Sequence, residues 1–252
     1  MIEQDNNNSD LSVLIKDLKD NYKSLSLEDF LTTFKMYFND PLIIKELVKL
    51  NTNLLEHVSL EMRSNKDIMN KALDNNNYSF QYASDSLKND KEFVLGAVRR
   101  NGMIFKVIPE QFQTDDEIIN TAIKSNPDIV VKIDSTLPNF KEYVLIAIDR
   151  NPYILENLPR KYKNSKEVVL SAIEQSGVTI QFAPTKFRND PNFMLLALKN
   201  DIKSLQVFSK EWREIIDNND PIKFLESYIL AEKLEKIVPN KNKRGKSQKI
   251  KI

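Results

Sequence analysis

Along residues 41–215, apolar and polar positions return in the same order every 25 residues. Repeats begin at Pro41, Lys66, Lys91, Asp116, Lys141, Lys166 and Pro191, and seven of them tile the stretch without an insertion. Positions 3, 4 and 8 of a repeat are apolar, as at Phe93, Val94 and Val98, or at Tyr143, Val144 and Ile148. Position 7 is alanine in six repeats (Ala72, Ala97, Ala122, Ala147, Ala172 and Ala197) and Leu47 in the first. Spacings of three and four residues gather these side chains on one stripe of a helix. The alanine sits mid-stripe, where a small side chain lets a neighbouring helix approach closely.

The ends of this helix are marked as well. Two residues before each start stand Ser64, Asn89, Thr114, Asn139, Asn164 and Asn189, all good N-caps. Three residues after them come Asp67, Glu92, Glu117, Glu142, Glu167 and Asn192; Thr114 with Glu117 reads as a capping box and the other pairs approximate one. The helix is expected to stop near position 11, at Asn76, Asn101, Asn126, Asn151, Ser176 and Asp201. Gly102, Pro127, Pro152 and Gly177 follow, and asparagine before proline suits the start of a second, shorter helix. That helix would bury positions 15 and 18: Phe105 and Ile108, Val130 and Ile133, Leu155 and Leu158. A large apolar residue then plugs each repeat: Leu87, Phe112, Leu137, Tyr162, Phe187 and Trp212.

A strand reading of a run such as Tyr143 to Ile148 is disfavoured by the repeated caps and the three-four spacing. A leucine-rich repeat would also need an alternation that is missing here. The expectation is all-α: an α-solenoid of helical hairpins, about ten residues plus seven, with helical end caps. Residues 1–10 are expected to be disordered, 11–40 to form an N-terminal cap with its second helix opened by Ser26 and Asp29 before Phe30, Phe34 and Phe38, and 41–215 to form the array. Residues 216–239 should supply a capping helix opened by Pro221, and 240–252 a basic flexible tail.

The stretches NDKEFVLGAVRRNG (89–102), LKND (87–90) and NSKEVVLSAIEQSG (164–177) carry a resemblance. They are similar to the repeat family of bacteria, protists and large viruses catalogued as domain of unknown function 4116. The resemblance covers about 41–215 and implies a helical array; it implies no catalytic residue.

Composition narrows the chemistry. The formal net charge is +1, so any field that attracts a charged partner must be local. The chain has no cysteine, which removes disulfides and thiolate chemistry and fits a reducing compartment. The N-terminus is polar and acidic, and no run reaches the roughly 18 apolar residues of a membrane span. A cytoplasmic protein without membrane insertion is the expectation. The single histidine, His57, sits in a variable column as a partly exposed repeat residue, with no second histidine to share a metal. With four glycines, none in a phosphate-binding motif, no cofactor or small molecule is expected. An enzyme is disfavoured.

One asymmetry remains. Positions 20, 21 and 23 flank the plug. In the repeats starting at 66, 91 and 116 they carry only Asp85, Lys88 and Glu110 as charges. In the last three repeats they carry Arg160, Lys161, Lys163, Lys186, Arg188, Lys210 and Arg213 against Glu211, a net of +6. The bland reading is a solvated lysine-rich surface. The sharper one is a stripe for an anionic partner: an acidic protein segment, RNA or anionic lipid headgroups, with Lys241, Lys243 and Arg244 of the tail adding to it. The reading favoured is a non-catalytic scaffold for protein–protein interaction whose partner is unknown. The alternative is a nucleic-acid-associated protein that binds through the stripe and the tail.

Overall fold

The computed structural model describes residues 2–237, and side-chain surroundings for residues 11–235. Among the described residues every regular element is helical, and the architecture is an all-α repeat solenoid. The chain divides into two compact halves, Met1–Ile129 and Val130–Ile252. The division falls inside the fourth repeat.

Each repeat is more than a hairpin. It holds a long α-helix such as Lys91–Arg100, a 3-10 helix such as Gly102–Lys106, and in most repeats a third, very short helix such as Asp85–Lys88 or Arg160–Lys163. The long helix buries its expected stripe: Phe93, Val94, Ala97 and Val98, or Val168, Val169, Ala172 and Ile173. All six alanines are fully buried. Phe105, Ile108, Val130, Ile133, Leu155 and Leu158 are buried as well.

The second element is a 3-10 helix because of how it begins. The position-11 N–H closes the long helix on the alanine carbonyl, as Asn101 does on Ala97 at 3.1 Å. Its side-chain oxygen then accepts the N–H two residues on, as Asn101 does from Met103 at 2.9 Å. Asn51, Asn76, Asn126, Asn151 and Asp201 make the same side-chain bond. One residue thus ends one helix and starts the next, and the tight turn favours three-residue hydrogen bonds. With three residues per turn, positions 15 and 18 lie on one line. Position 14 is buried too, at Leu54, Ser79, Ile104, Ile129, Ile154, Thr179 and Ser204.

The long helix is capped one residue later than the sequence suggests. Asn65, Asp90, Asp115 and Asp190 accept the first-turn N–H groups. Only at Asn139 does the N-cap fall where expected. Ser64, Asn89 and Asn164 face backward instead: their side chains donate to Leu60, Asp85 and Arg160 carbonyls, closing the preceding short helix. The Thr114–Glu117 capping box is therefore replaced by Asp115, which accepts from Glu117 and Ile118 at 3.0 and 3.2 Å.

Glu92, Glu117 and Glu167 serve the neighbouring repeat. Lys66 bridges Asp90 and Glu92 at 2.6 and 3.4 Å, and Lys91 bridges Asp115 and Glu117 at 2.8 and 3.0 Å. In the C-terminal half Lys141 pairs with Glu167. The Lys66 hydrogen bond, with the Phe93 N–H, holds the Asp90 carboxyl below its ordinary range. Burial pushes the Asp115 carboxyl up, but Lys91 and the N–H groups of Ile118 and Glu117 outweigh it and leave it lowered.

Two glycines mark the closest approach between repeats. A methyl added at Gly102 would lie 2.3 Å from the Ala122 carbonyl oxygen, and one at Gly177 2.2 Å from that of Ala197. Their N–H groups donate across the same contact, to Ser125 Oγ at 3.0 Å and Asn200 Oδ1 at 2.8 Å.

The ends depart from expectation at one point. The first helix runs Ile2–Ser24 and so takes in residues 2–10. Once residues 11–24 are helical, each added residue brings its own backbone bond at little further cost. Leu18 and Phe30 are fully buried, and Ser26 caps the helix Leu27–Phe34. At the other end Pro221–Ile237 is helical as expected, with Lys199 paired to Glu226 at 2.6 Å and Trp212 edge-on to Tyr228 at 5.4 Å. Residues 134–139 form turns where other repeats place the short helix. Pro138 is the reason: position 23 donates its N–H to position 19 where the short helix is α-helical, as Lys163 does to Pro159, and proline has none to give.

Gly177→Ala is expected to destabilise the C-terminal half by about 1–3 kcal/mol through overpacking against a backbone carbonyl. Gly96→Ala, whose methyl meets only the flexible Arg100 guanidinium at 3.3 Å, should be neutral or stabilising. Equal thermal midpoints for the two variants would contradict the close approach. Asp90 and Asp115 have depressed carboxyl values, so their contribution is present above an unfolded value of about 3.9 and is lost as pH falls through the folded one. Asp90→Asn/Asp115→Asn keeps a capping oxygen and removes the titration. Its thermal midpoint should fall less steeply than that of wild type on acidification from pH 5, and parallel curves would refute the ladder's role.

Candidate anionic-partner surface

The cations at positions 20, 21 and 23 of the last three repeats lie on or directly beside the short helices. Arg160, Lys161 and Lys163 stand on Arg160–Lys163, Lys186 and Arg188 on Thr185–Arg188, and Lys210 and Arg213 on Lys210–Ile215. Four-residue helices are too short to announce themselves by periodicity. Each is instead pinned by its plug: Tyr162, Phe187 and Trp212 are buried, and the Tyr162 hydroxyl donates to the Ser135 carbonyl at 2.9 Å. Leu137 and Phe112 are only half-buried, while Phe140 is fully buried with its ring centre 4.7 Å from that of Tyr162.

The structure separates the seven cations into two kinds. Lys163 and Arg188 are half-buried, and each donates to a carbonyl at the end of its own 3-10 helix, Glu156 and Gln181. Lys88 makes the equivalent bond to the Gln81 carbonyl at 2.8 Å, and Gln113 reaches the Ile108 carbonyl at 3.1 Å. In these four repeats position 23 supplies a long donor for a structural bond, which explains two of the charges without a partner, whereas Arg213 at the same position is exposed.

Arg160, Lys161, Lys186, Lys210 and Arg213 are exposed. Lys161 lies 5.3 Å from the Tyr162 ring centre and Lys186 4.5 Å from that of Phe187, so aromatic faces help to hold both ammonium groups in place. Lys186 also donates to the Asn164 carbonyl of the preceding repeat at 3.3 Å. Lys210 stands 3.7 Å from Glu214, an exposed pair of small energetic weight. The acidic member of the stripe, Glu211, is held in its ionised form by its own N–H and by the Ser209 hydroxyl. Lys241, Lys243 and Arg244 lie outside the described residues.

His57 is exposed. Among the described residues no group of three or more His, Cys, Asp or Glu side chains is placed to hold a metal ion. Likewise no described helix is long and apolar enough to cross a membrane. What sequence reasoning missed is a second exposed column. Tyr78 and Tyr153, at position 13, stand on the 3-10 helices facing solvent, while the aromatic residues at positions 3 and 22 drew attention as core. Their signal was present: position 13 follows a capped turn by two residues and carries no apolar periodicity with the core stripe.

Comparison with known proteins agrees with the architecture. Among curated proteins and among solved structures no significant match is found. The family described as Domain of unknown function (DUF4116) matches residues 40–88, 69–113, 90–137, 140–185 and 165–213. Four of these five overlapping matches begin in the 25-residue register, together they cover more than half of the sequence, and the chain belongs to this family.

Proposed function

We propose that the protein is a non-catalytic interaction scaffold whose C-terminal half holds an acidic polypeptide segment. One observation carries the reading. In the last three repeats each short helix is pinned by a buried plug, while the outer positions 20 and 21 collect Arg160, Lys161, Lys186 and Lys210. A surface that changes while its support stays constant is what repeat scaffolds present to partners. Of the five exposed cations, Arg213 included, Lys210 pairs with a carboxylate, Glu214, and Glu211 stands beside it; the positive charge of Arg160, Lys161 and Lys186 draws anionic segments by long-range attraction. A side-chain carboxylate row along an extended chain is the complement of such a stripe.

A glutamate decapeptide should bind the chain with affinity that falls as salt rises, and Arg160→Glu/Lys161→Glu/Lys186→Glu/Arg213→Glu should abolish the binding while leaving the thermal midpoint nearly unchanged. Lys163→Leu/Arg188→Leu should do the opposite, costing about 1 kcal/mol of stability per lost carbonyl bond and sparing the affinity. Peptide binding indifferent to the fourfold reversal removes the stripe as a docking surface. If single-stranded RNA binds instead, and deletion of 240–252 abolishes that binding, the nucleic-acid reading replaces this one.

A further inference from the structure

The exposed column on the 3-10 helices holds a second surface, separate from the basic stripe and in the other half of the chain. Position 13 of one repeat meets position 17 of the next. Tyr153 lies edge-on to Phe182 with ring centres 6.3 Å apart. The Tyr82 hydroxyl donates to Asn53 Oδ1 at 3.1 Å, the same pair of positions in the N-terminal half.

Between these repeats lies the pair Tyr78 and Val107, and here nothing fills the space. A groove of about 350 Å³ opens between them, lined also by Phe80, Met103 and Ile104. That is the small end of the roughly 300–1,000 Å³ range of ligand sites. Tyr78 is 81% exposed, Val107 62% and Met103 39%. Where the Tyr153 pair receives the ring of Phe182, the Tyr78 pair receives only the short side chain of Val107. The groove lacks an aromatic ring that its counterpart possesses.

We infer that the Tyr78–Val107 groove takes an aromatic side chain from an acidic peptide segment of a partner protein, seated edge-on to Tyr78 as Phe182 is to Tyr153. The chain's own Tyr153–Phe182 pair shows that such a ring fits this backbone arrangement. An edge-to-face ring is favourable beyond its buried area. The lining supplies the charge preference: Lys106 is exposed and is the only ionic residue in it, and no carboxylate faces the groove. Neutral amides of Asn76, Asn77, Gln81 and Asn101 form the rest of the polar rim and can bond a peptide backbone. An aromatic anchor with acidic neighbours is thereby preferred over one with basic neighbours.

The test uses the full chain with ¹³C-methyl methionine and follows the Met103 methyl resonance by NMR. The probe is the capped peptide Gly-Asp-Phe-Asp-Gly. The expected result is a saturable Met103 shift, weakened at least about tenfold when the central phenylalanine becomes alanine, and weakened also when lysines replace the aspartates. Val107→Phe reproduces the ring found in the Tyr153 pair and should abolish the shift with no loss of thermal stability. Tyr78→Ala, at a still more exposed site, should weaken it independently. The fourfold charge reversal of the stripe should leave it unchanged, which separates this site from the proposed function. No shift at millimolar peptide, or a shift untouched by Val107→Phe, overturns the inference.

Discussion

The turn at position 11 organises the rest of the structure, and in six of the seven repeats a side-chain oxygen holds it; Ser176 makes the same turn without that bond. At Asn51, Asn76, Asn101, Asn126, Asn151 and Asp201 this oxygen accepts the N–H two residues on, while the same residue's own N–H closes the helix behind it. This double use leaves no linker between the long helix and the 3-10 helix. The chain reverses within one residue and presents its next apolar positions to the same core. Fewer residues per repeat become sufficient, because no loop length is spent between the two elements.

That economy places a severe demand on the contact between repeats. The backbone after the turn reaches the next long helix at its alanine carbonyl, so closely that Gly102 and Gly177 leave no space for a methyl. The buried alanines serve the same approach from the other side. Burial of the four-residue stripe supplies the stabilisation, and the small residues decide the spacing at which it is realised. Position 23 then secures the end of the 3-10 helix with a charged donor from the short helix, as Lys88, Lys163 and Arg188 do.

Much of this was legible beforehand, and the exceptions have physical causes. Phe93, Val94, Ala97 and Val98 could be read as core because a long amphipathic helix imposes its own periodicity. The caps were misplaced by one residue because pairs such as Asn89–Asp90 offer two competent side chains, and sequence does not say which faces forward. Position 14 escaped because it is buried yet polar at Ser79, Thr179 and Ser204; Ser79 and Thr179 bond nearby carbonyls. The candidate surface was half legible. The charges were visible, but the commitment of Lys163 and Arg188 to backbone carbonyls depends on a short helix that four residues cannot signal. The groove beside Tyr78 was invisible, since it consists of an absence at Val107 that only a second copy of the same contact reveals.

The ion-pair ladder has a consequence for how such a chain can grow. Lys91 addresses the last residue of its own repeat and the second residue of its successor, Asp115 and Glu117, just as Lys66 addresses Asp90 and Glu92. The segment 91–115 therefore carries both halves of its own junction, a lysine at its head and an aspartate at its tail, with Glu92 ready to receive a preceding lysine. Copied in tandem it meets itself in a chemistry already in use. The segment 116–140 begins with Asp116 and ends with Phe140, and its copy would not. Length in this architecture is thus a property of individual repeats, and 91–115 is written in a form that permits duplication.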